Sequence, residues 1–217
     1  MERESINSFS TRAKLARAVV AGLASITISA CVQAPLRRGT ASSTLDNAAY
    51  DQLINRYTRH EEQYNGFNER FDVYATMLTN AVQAAILKER GRIYQWTLAQ
   101  AQDARDKMFQ KNSTETQFAV SFFVPNIQLN NLDQPETIWR IYLDAGGNRY
   151  IGHAKRRDEP LETIQAMFPY DTRFHKAYVV TFNVPLAVIE NQTATLIFAS
   201  AQGLARLKFT AGQPRGK

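Results

Sequence analysis

The sequence predicts an α+β protein, in which two or three N-terminal helices precede an antiparallel β-sandwich of six or seven strands. Proline is absent between residues 36 and 124, whereas five of the seven prolines lie between residues 125 and 185. Of the 23 aromatic residues, 13 lie between residues 118 and 209. Before residue 115, apolar residues recur at helical spacing. After residue 115, short runs typical of β-strands are separated by turns.

The composition is that of an ordinary globular protein and excludes several functional classes. The 217 residues include 26 Lys plus Arg, 20 Asp plus Glu and one Cys. A single Cys excludes an internal disulfide framework and a Cys-based zinc cluster. The net charge of +6 is too small to predict a nucleic-acid partner.

The first 31 residues have the pattern of an export signal. A polar segment with Arg12, Lys14 and Arg17 precedes the apolar run Ala18–Thr27. A basic region, a short apolar region and small residues near a cleavage point are typical of a secretory signal. The apolar stretch is too short to span a membrane, which takes about 20 residues. The alternative is a short buried helix with an incidental cysteine.

Residues Ile28-Ser29-Ala30-Cys31 resemble the lipobox of bacterial lipoprotein precursors. The resemblance implies cleavage after Ala30, so that residues 1–30 are a signal peptide. It also implies diacylglycerol on the Cys31 thiol and acylation of the new amino group with a fatty acid such as palmitate, so that the lipid bilayer is a partner. Val32 stands where the family's inner-membrane retention signal has Asp, which implies an outer-membrane, periplasm-facing location.

The segment after the signal divides into a tether and a helical region. Residues 31–45 comprise the lipidated Cys and a tether, since they show no periodic apolar pattern. Residues 46–113 are predicted to be helical because apolar side chains recur every three or four positions. The three runs are Tyr50, Leu53, Ile54 and Tyr57; Phe67, Phe71, Tyr74, Leu78, Val82 and Ala85; and Tyr94, Leu98, Ala101, Ala104 and Met108.

Residues 114–212 are predicted to form the sandwich, with residues 213–217 as a tail. The candidate strands are Gln117–Val124, Ile138–Asp144, Arg149–Lys155, Ala177–Val184, Thr193–Ala199 and Leu204–Thr210. Asp144–Asn148 and Ala201–Gly203 contain the glycines that tight hairpins require. A small open barrel is the alternative to a sandwich.

Six segments of the mature chain resemble a group of uncharacterised envelope lipoproteins of predatory and metal-reducing bacteria. They are Arg56-Tyr-Thr-Arg59, Tyr74-Ala-Thr-Met-Leu78, Asn130-Asn-Leu-Asp133, Ile138-Trp-Arg-Ile-Tyr-Leu143, Phe168-Pro-Tyr170 and Tyr178-Val-Val-Thr-Phe182. This resemblance implies the anchor, the helices and the sandwich, and it implies no activity.

No catalytic motif, metal motif or cofactor motif is present. His60, His153 and His175 are far apart, and there is neither GxSxG nor SxxK. Aspartates between the candidate strands could hold Ca²⁺, but their spacing favours ordinary turn chemistry. We therefore expect no catalytic residues, no metal site and no cofactor. A hydrolase would need a Ser or Asp in contact with His153 or His175.

Two segments are candidate binding sites. Lys155, Arg156 and Arg157 form a basic edge that could contact phosphates or acidic polysaccharide, or could simply protect an edge strand. Phe168, Tyr170, Arg173 and Phe174 lie in a Pro-containing loop that could bind a ligand or close one end of the core.

These observations predict a non-enzymatic envelope lipoprotein with a structural or protein-interaction role. The alternative is a glycan- or lipid-binding β-sandwich, and a hydrolase is the third hypothesis. The expected partner is an unidentified envelope protein or glycan, and nucleic acid is not expected.

Overall fold

The computed structural model describes residues 44–210, which form a mixed helix-and-sheet fold with two antiparallel sheets. The helices are α1 (Thr44–Tyr57), α2 (Asn80–Ile93), α3 (Leu98–Asn112), α4 (Leu161–Met167) and α5 (Leu186–Ile189). The strands are β1 (Thr58–Asn65), β2 (Asn68–Met77), β3 (Thr116–Phe123), β4 (Arg140–Ala145), β5 (Asn148–Ile151), β6 (His153–Arg156), β7 (Lys176–Phe182), β8 (Ala194–Ser200) and β9 (Gly203–Phe209).

One sheet has five strands in the order β1-β2-β3-β7-β6, and the other has four in the order β5-β4-β8-β9. The chain passes from the second sheet to the first at Gly152, between β5 and β6. A Cβ atom at Gly152 would lie 2.7 Å from a ring carbon of Phe182 and 3.0 Å from a methyl carbon of Ile141. Glycine is therefore required at this crossing, and it divides the predicted strand Arg149–Lys155 in two.

A first hydrophobic core takes side chains from both sheets. In β2, Phe71, Val73, Ala75 and Met77 alternate into this core, as expected for a strand. The ring of Trp139 lies edge-on to Phe71 and Phe122, with centroids 5.4 and 4.9 Å apart. The Trp139 indole N–H donates to Leu129 O at 2.8 Å, so this large side chain is buried without losing a hydrogen bond.

A second hydrophobic core covers the other face of the five-stranded sheet. It joins Ile54 of α1, Val82 and Ile86 of α2, and Ile164 and Met167 of α4. The five-stranded sheet is therefore covered on both faces, and its strands carry apolar side chains on both.

Strand β1 meets the exposed edge of β9 through side chains. Gln63 Oε1 accepts from Leu204 N at 3.3 Å, and Glu61 Oε2 accepts from Arg206 N at 2.7 Å. Arg59 Nε donates to Lys208 O at 2.9 Å. These bonds, which we call the β1–β9 seam, satisfy main-chain groups that an open sheet edge would leave unpaired.

Several sequence predictions are confirmed and others need correction. Five of the six candidate strands form as single strands, Arg149–Lys155 is split into β5 and β6, and both glycine-containing turns close hairpins, β4–β5 and β8–β9. The segment 46–113 is not wholly helical, however, because residues 58–77 form the hairpin β1–β2. The predicted signal peptide, Cys31, the tether to residue 43 and the tail 213–217 lie outside the described residues.

The third predicted helical run also needs correction. Helix α3 begins at Leu98, after a capping box made by Thr97 and Gln100, and Tyr94 precedes it. Leu98 and Tyr94 are 75% and 50% exposed, so they do not belong to a buried side. The buried residues of α3 are Met108 and Asn112.

Candidate functional site

A polar and aromatic cluster lies on the helix-covered face of the five-stranded sheet. Antiparallel register sets His60 of β1 and Ser121 of β3 on either side of Tyr74 of β2. Asp72 follows on the same face of β2, two residues away. The loop before β7 adds Tyr170 and His175. We call these five residues His60, Asp72, Tyr74, Tyr170 and His175 the His–Asp–His cluster.

The carboxylate of Asp72 joins two histidines. Its Oδ1 lies 2.7 Å from His60 Nε2, and its Oδ2 lies 3.2 Å from His175 Nε2. The Asp72 side chain is only 14% exposed. Burial raises the pKa of Asp72, but the hydrogen bonds from His175 and His60 outweigh burial and hold this pKa below its usual range.

Three rings stack beside this carboxylate. The His60 and Tyr74 rings are nearly parallel, with centroids 3.9 Å apart, and Tyr170 stacks on Tyr74 at 5.1 Å. His175 meets Tyr74 edge-on at 5.9 Å. The stack fixes the orientation of both imidazoles relative to Asp72.

A chain of hydroxyl groups runs from Tyr170 into the protein. The Tyr170 hydroxyl lies 2.6 Å from Thr76 Oγ1, which lies 2.6 Å from Thr58 Oγ1. Since Thr58 donates its proton to Ile54 O at 2.7 Å, Thr76 must donate to Thr58, and Tyr170 must donate to Thr76. Burial raises the pKa of Tyr170, so this hydroxyl stays protonated.

Thr172, His175 and Asp72 form a hydroxyl–imidazole–carboxylate series, so an Asp does contact His175, as the hydrolase hypothesis requires. Thr172 Oγ1 lies 2.7 Å from His175 Nδ1, while His175 Nε2 faces Asp72. In neutral His175, an N–H at Nε2 facing Asp72 leaves Nδ1 to accept the Thr172 proton. Thr172 Oγ1 also accepts from Phe174 N at 3.3 Å, and His175 N donates to Thr172 O at 3.1 Å. These local bonds make Thr172 part of a turn, which explains its position.

A second buried carboxyl lies nearby and is also satisfied within the fold. Ser121 Oγ donates to Asp171 Oδ1 at 2.9 Å. Burial raises the pKa of Asp171, and the Ser121 hydrogen bond opposes this change only in part. Among the described residues, no group of three His, Cys, Asp or Glu side chains is arranged to hold a metal ion.

The four aromatic-loop candidates have two different environments. Phe168 is 3% exposed and belongs to the second hydrophobic core, and Tyr170 packs against that core. Phe174 is 66% exposed, and the guanidinium of Arg173 lies 5.3 Å from its ring centroid. The structure therefore leaves Arg173 and Phe174 accessible to a ligand.

The three basic-edge candidates also differ. Lys155 and Arg156 are exposed on β6, an edge strand of the five-stranded sheet. Arg157 pairs with Glu159, and its guanidinium lies 5.1 Å from the Phe168 ring centroid. Its side chain is 9% exposed and contacts the second hydrophobic core through Phe168.

No protein-family model, curated protein or solved structure matches this chain. Within residues 44–210, no helix has the length and apolar character needed to cross a membrane.

A group of exposed apolar side chains lies between α2 and α3, and the sequence analysis placed two of them, Tyr94 and Leu98, on one side of a helix. The turn between α2 and α3 exposes Ile93, Tyr94 and Leu98 at 36%, 50% and 75%, and Trp96 is half-buried there. We call these four residues the turn patch. Large apolar side chains grouped this closely on a surface are typical of a contact site. The four-residue spacing of Tyr94 and Leu98 could not distinguish a surface contact site from the buried face of a helix.

Proposed function

We propose that this chain is an outer-membrane lipoprotein, anchored through acylated Cys31, with a periplasm-facing, non-catalytic interaction role. The observation that carries the proposal is the lipobox Ile28-Ser29-Ala30-Cys31 after a basic and an apolar region. Several acyl chains on one residue give stable anchoring, whereas a single chain gives marginal binding.

The start of the described fold is consistent with this anchor. Helix α1 begins at Thr44, so 12 residues, 32–43, separate it from Cys31. Fully extended, such a segment reaches about 40 Å, and a flexible one averages roughly 20 Å. The folded part can therefore contact both the bilayer surface and neighbouring envelope components.

The interaction role is supported by how the polar groups are used. The His–Asp–His cluster, Thr58, Thr76 and Asp171 are hydrogen-bonded within the fold and connect its elements. The turn patch, by contrast, places large apolar side chains at the surface. A binding surface of this kind needs no reactive group.

We also infer that the two sheets face each other as a sandwich. The first hydrophobic core draws on both sheets, and the chain crosses between them at Gly152. On the opposite side, the β1–β9 seam joins the remaining edges by side-chain bonds, whereas a closed barrel would pair them through the main chain.

Fatty-acid labelling with membrane fractionation tests the proposed anchor. Wild-type chain expressed in a Gram-negative host should incorporate labelled palmitate and fractionate with the outer membrane. Cys31→Ser should lose the label because it lacks the thiol that carries the diacylglycerol, while Ser29→Ala should keep it, since a small residue remains. Unlabelled wild-type chain of full length in the cytosol would contradict the proposal.

Glycan binding is a second candidate, favoured by the exposed pair Arg173 and Phe174. A ring stacked with a guanidinium offers an apolar face and hydrogen-bond donors to a sugar. Sedimentation with purified peptidoglycan should then fall in Phe174→Ala and persist in Phe109→Ala, a control in which another exposed phenylalanine, at 53% against 66% for Phe174, is removed elsewhere. Equal sedimentation of both variants would reject this pair as the binding site.

A further inference from the structure

The turn patch is a defined structure, not a loose chain end. Tyr94 N donates to Arg90 O at 2.8 Å, and Trp96 N donates to Gly91 O at 3.0 Å. Gln95 has φ of 51° and donates from its side chain to Arg92 O at 2.6 Å. These bonds fix the main chain in a position that exposes the apolar side chains.

The patch lies at the end of the molecule where the chain enters α1. Tyr50 of α1 donates to Met167 O at 2.9 Å, and Arg90 of α2 donates to Met167 Sδ at 3.1 Å. These two residues therefore lie side by side. Thr58, which follows α1 directly, bonds to Thr76 near the start of α2, so the two helices run antiparallel. The start of α1 at Thr44 and the end of α2 at Ile93 therefore lie on the same side of the neighbouring residues Tyr50 and Arg90.

The chemistry of the patch fits a lipid surface. Tyr and Trp combine an apolar ring with a polar group, and they are enriched where hydrocarbon meets water. Ile93 and Leu98 add purely apolar contact. Lys88 is exposed near the adjoining end of α2 and carries a charge that attracts lipid phosphates, while the exposed Arg92 pairs with Glu89.

We propose that the turn patch rests on the bilayer in which the acylated chain is anchored. The proposal depends on the proposed function, because the anchor supplies the proximity. A tether of 12 residues holds the patch at a high effective concentration near the surface, so a weak intrinsic affinity is sufficient. The contact would orient the fold, with the starts of α1 and α3 and the end of α2 at the membrane.

The two tryptophans allow a direct test. Trp139 is 2% exposed in the first core, whereas Trp96 belongs to the turn patch. Full-length acylated chain is reconstituted into vesicles of phosphatidylethanolamine and phosphatidylglycerol, with or without bromine on the acyl chains. Bromine quenches only nearby indoles, so brominated vesicles should reduce emission in the wild type, and Trp96→Phe should abolish that loss.

A matched pair of variants separates the patch from general surface effects. Leu98→Asp places a charge in the patch and should greatly reduce the quenching. Ile127→Asp, at a residue 72% exposed outside the patch, should leave it unchanged. Circular dichroism and denaturant midpoints confirm that both variants fold.

The outcomes distinguish failure of the patch from failure of the anchor. Acylated, vesicle-bound chain with unquenched Trp96 would overturn the patch proposal and leave the proposed function intact. Chain that is never acylated would overturn both, and the palmitate label reports this independently. A third outcome is shielding of Trp96 that rises with protein concentration and is the same in vesicles with and without bromine. It would identify a second copy of the chain as the occupant of the turn patch, which also overturns the lipid contact.

Discussion

Asp72 connects both strands of the hairpin β1–β2 with a loop residue 103 positions later in the sequence. Its two carboxylate oxygens face His60 in β1 and His175 before β7, while its own strand supplies Tyr74 to the ring stack. Because a buried carboxylate costs free energy unless it is hydrogen-bonded, these contacts decide whether the charge stabilises the fold.

We expect Asp72→Asn to lower the free energy of unfolding at pH 7 by about 1–3 kcal/mol, since it removes hydrogen bonds to a charged group. The hydrogen bonds place the folded-state pKa of Asp72 below its usual value, so the stabilisation is present above about pH 4 and is lost as the pH falls through the folded-state pKa. Urea denaturation should therefore show a difference between wild type and variant that shrinks towards pH 3.

The control for this prediction is Asp158→Asn, because Asp158 is an exposed carboxylate. This change should leave stability within about 0.5 kcal/mol of wild type. A difference between Asp72→Asn and wild type that stays constant from pH 7 to pH 3 would mean that the charge of Asp72 is not what stabilises the cluster.

Two glycines should respond in opposite ways to the same substitution. Gly152→Ala forces a methyl group to within 3.0 Å of Phe182 and Ile141, and should destabilise the fold by about 1–3 kcal/mol. Gly91→Ala adds a methyl at an ordinary 3.6 Å from Trp96 and should stabilise α2 by up to about 1 kcal/mol. Thermal denaturation measures both, and a stable Gly152→Ala would show that the crossing has room to adjust.

At the scale of the element, the hydrogen bonds of the β1–β9 seam can be tested separately. Glu61→Ala removes the acceptor for Arg206 N, so this amide should exchange with deuterium faster and unfolding free energy should fall by about 1 kcal/mol. Glu62→Ala is the neighbouring control, since Glu62 is exposed and does not bond to β9 in the described structure. Unchanged exchange at Arg206 in Glu61→Ala would show that water replaces the side chain fully.

The hairpin β1–β2 shows why one element could not be predicted from periodicity. Phe71 points into the first core, whereas Tyr74 points to the opposite face and packs against Tyr170. When both faces of a strand are covered, apolar residues occur on both, and their spacing can imitate a helix. Strand β9 keeps a clear alternation of buried and exposed residues. Strand β4 is followed by a glycine-containing turn, and both strands were predicted correctly.

The His–Asp–His cluster was hidden from sequence reasoning for a different reason. His60 and Asp72 both lie in the segment 46–113 that was predicted to be helical, and their spacing of 12 residues does not mark them as partners. Only the register of β1 on β2 brings His60 and Asp72 together, and only the loop before β7 adds His175. Such long-range pairing cannot be inferred from local spacing.

At the scale of the whole molecule, burial is distributed unevenly. Strands β3 and β7 are inner strands of the five-stranded sheet and lie between the two hydrophobic cores. Helix α3 packs mainly on α2 and buries only Met108 and Asn112. A protein built in this way should open locally at its least buried element before it unfolds globally.

Native-state hydrogen exchange should therefore give α3 a lower opening free energy than β3 and β7. Asn112 connects α3 to α2, since it donates to Asn80 Oδ1 at 3.0 Å and accepts from Gln83 Nε2 at 2.9 Å. Asn112→Ala should lower the opening free energy of α3 by about 1–2 kcal/mol and disturb β3 less, whereas Gln110→Ala, at an exposed position, should change neither. Equal opening free energies for α3 and β3 in the wild type would instead make α3 part of the global folding unit. Since α3 also carries Leu98 of the turn patch, contact with a bilayer should raise the protection of its first turn above that measured in solution.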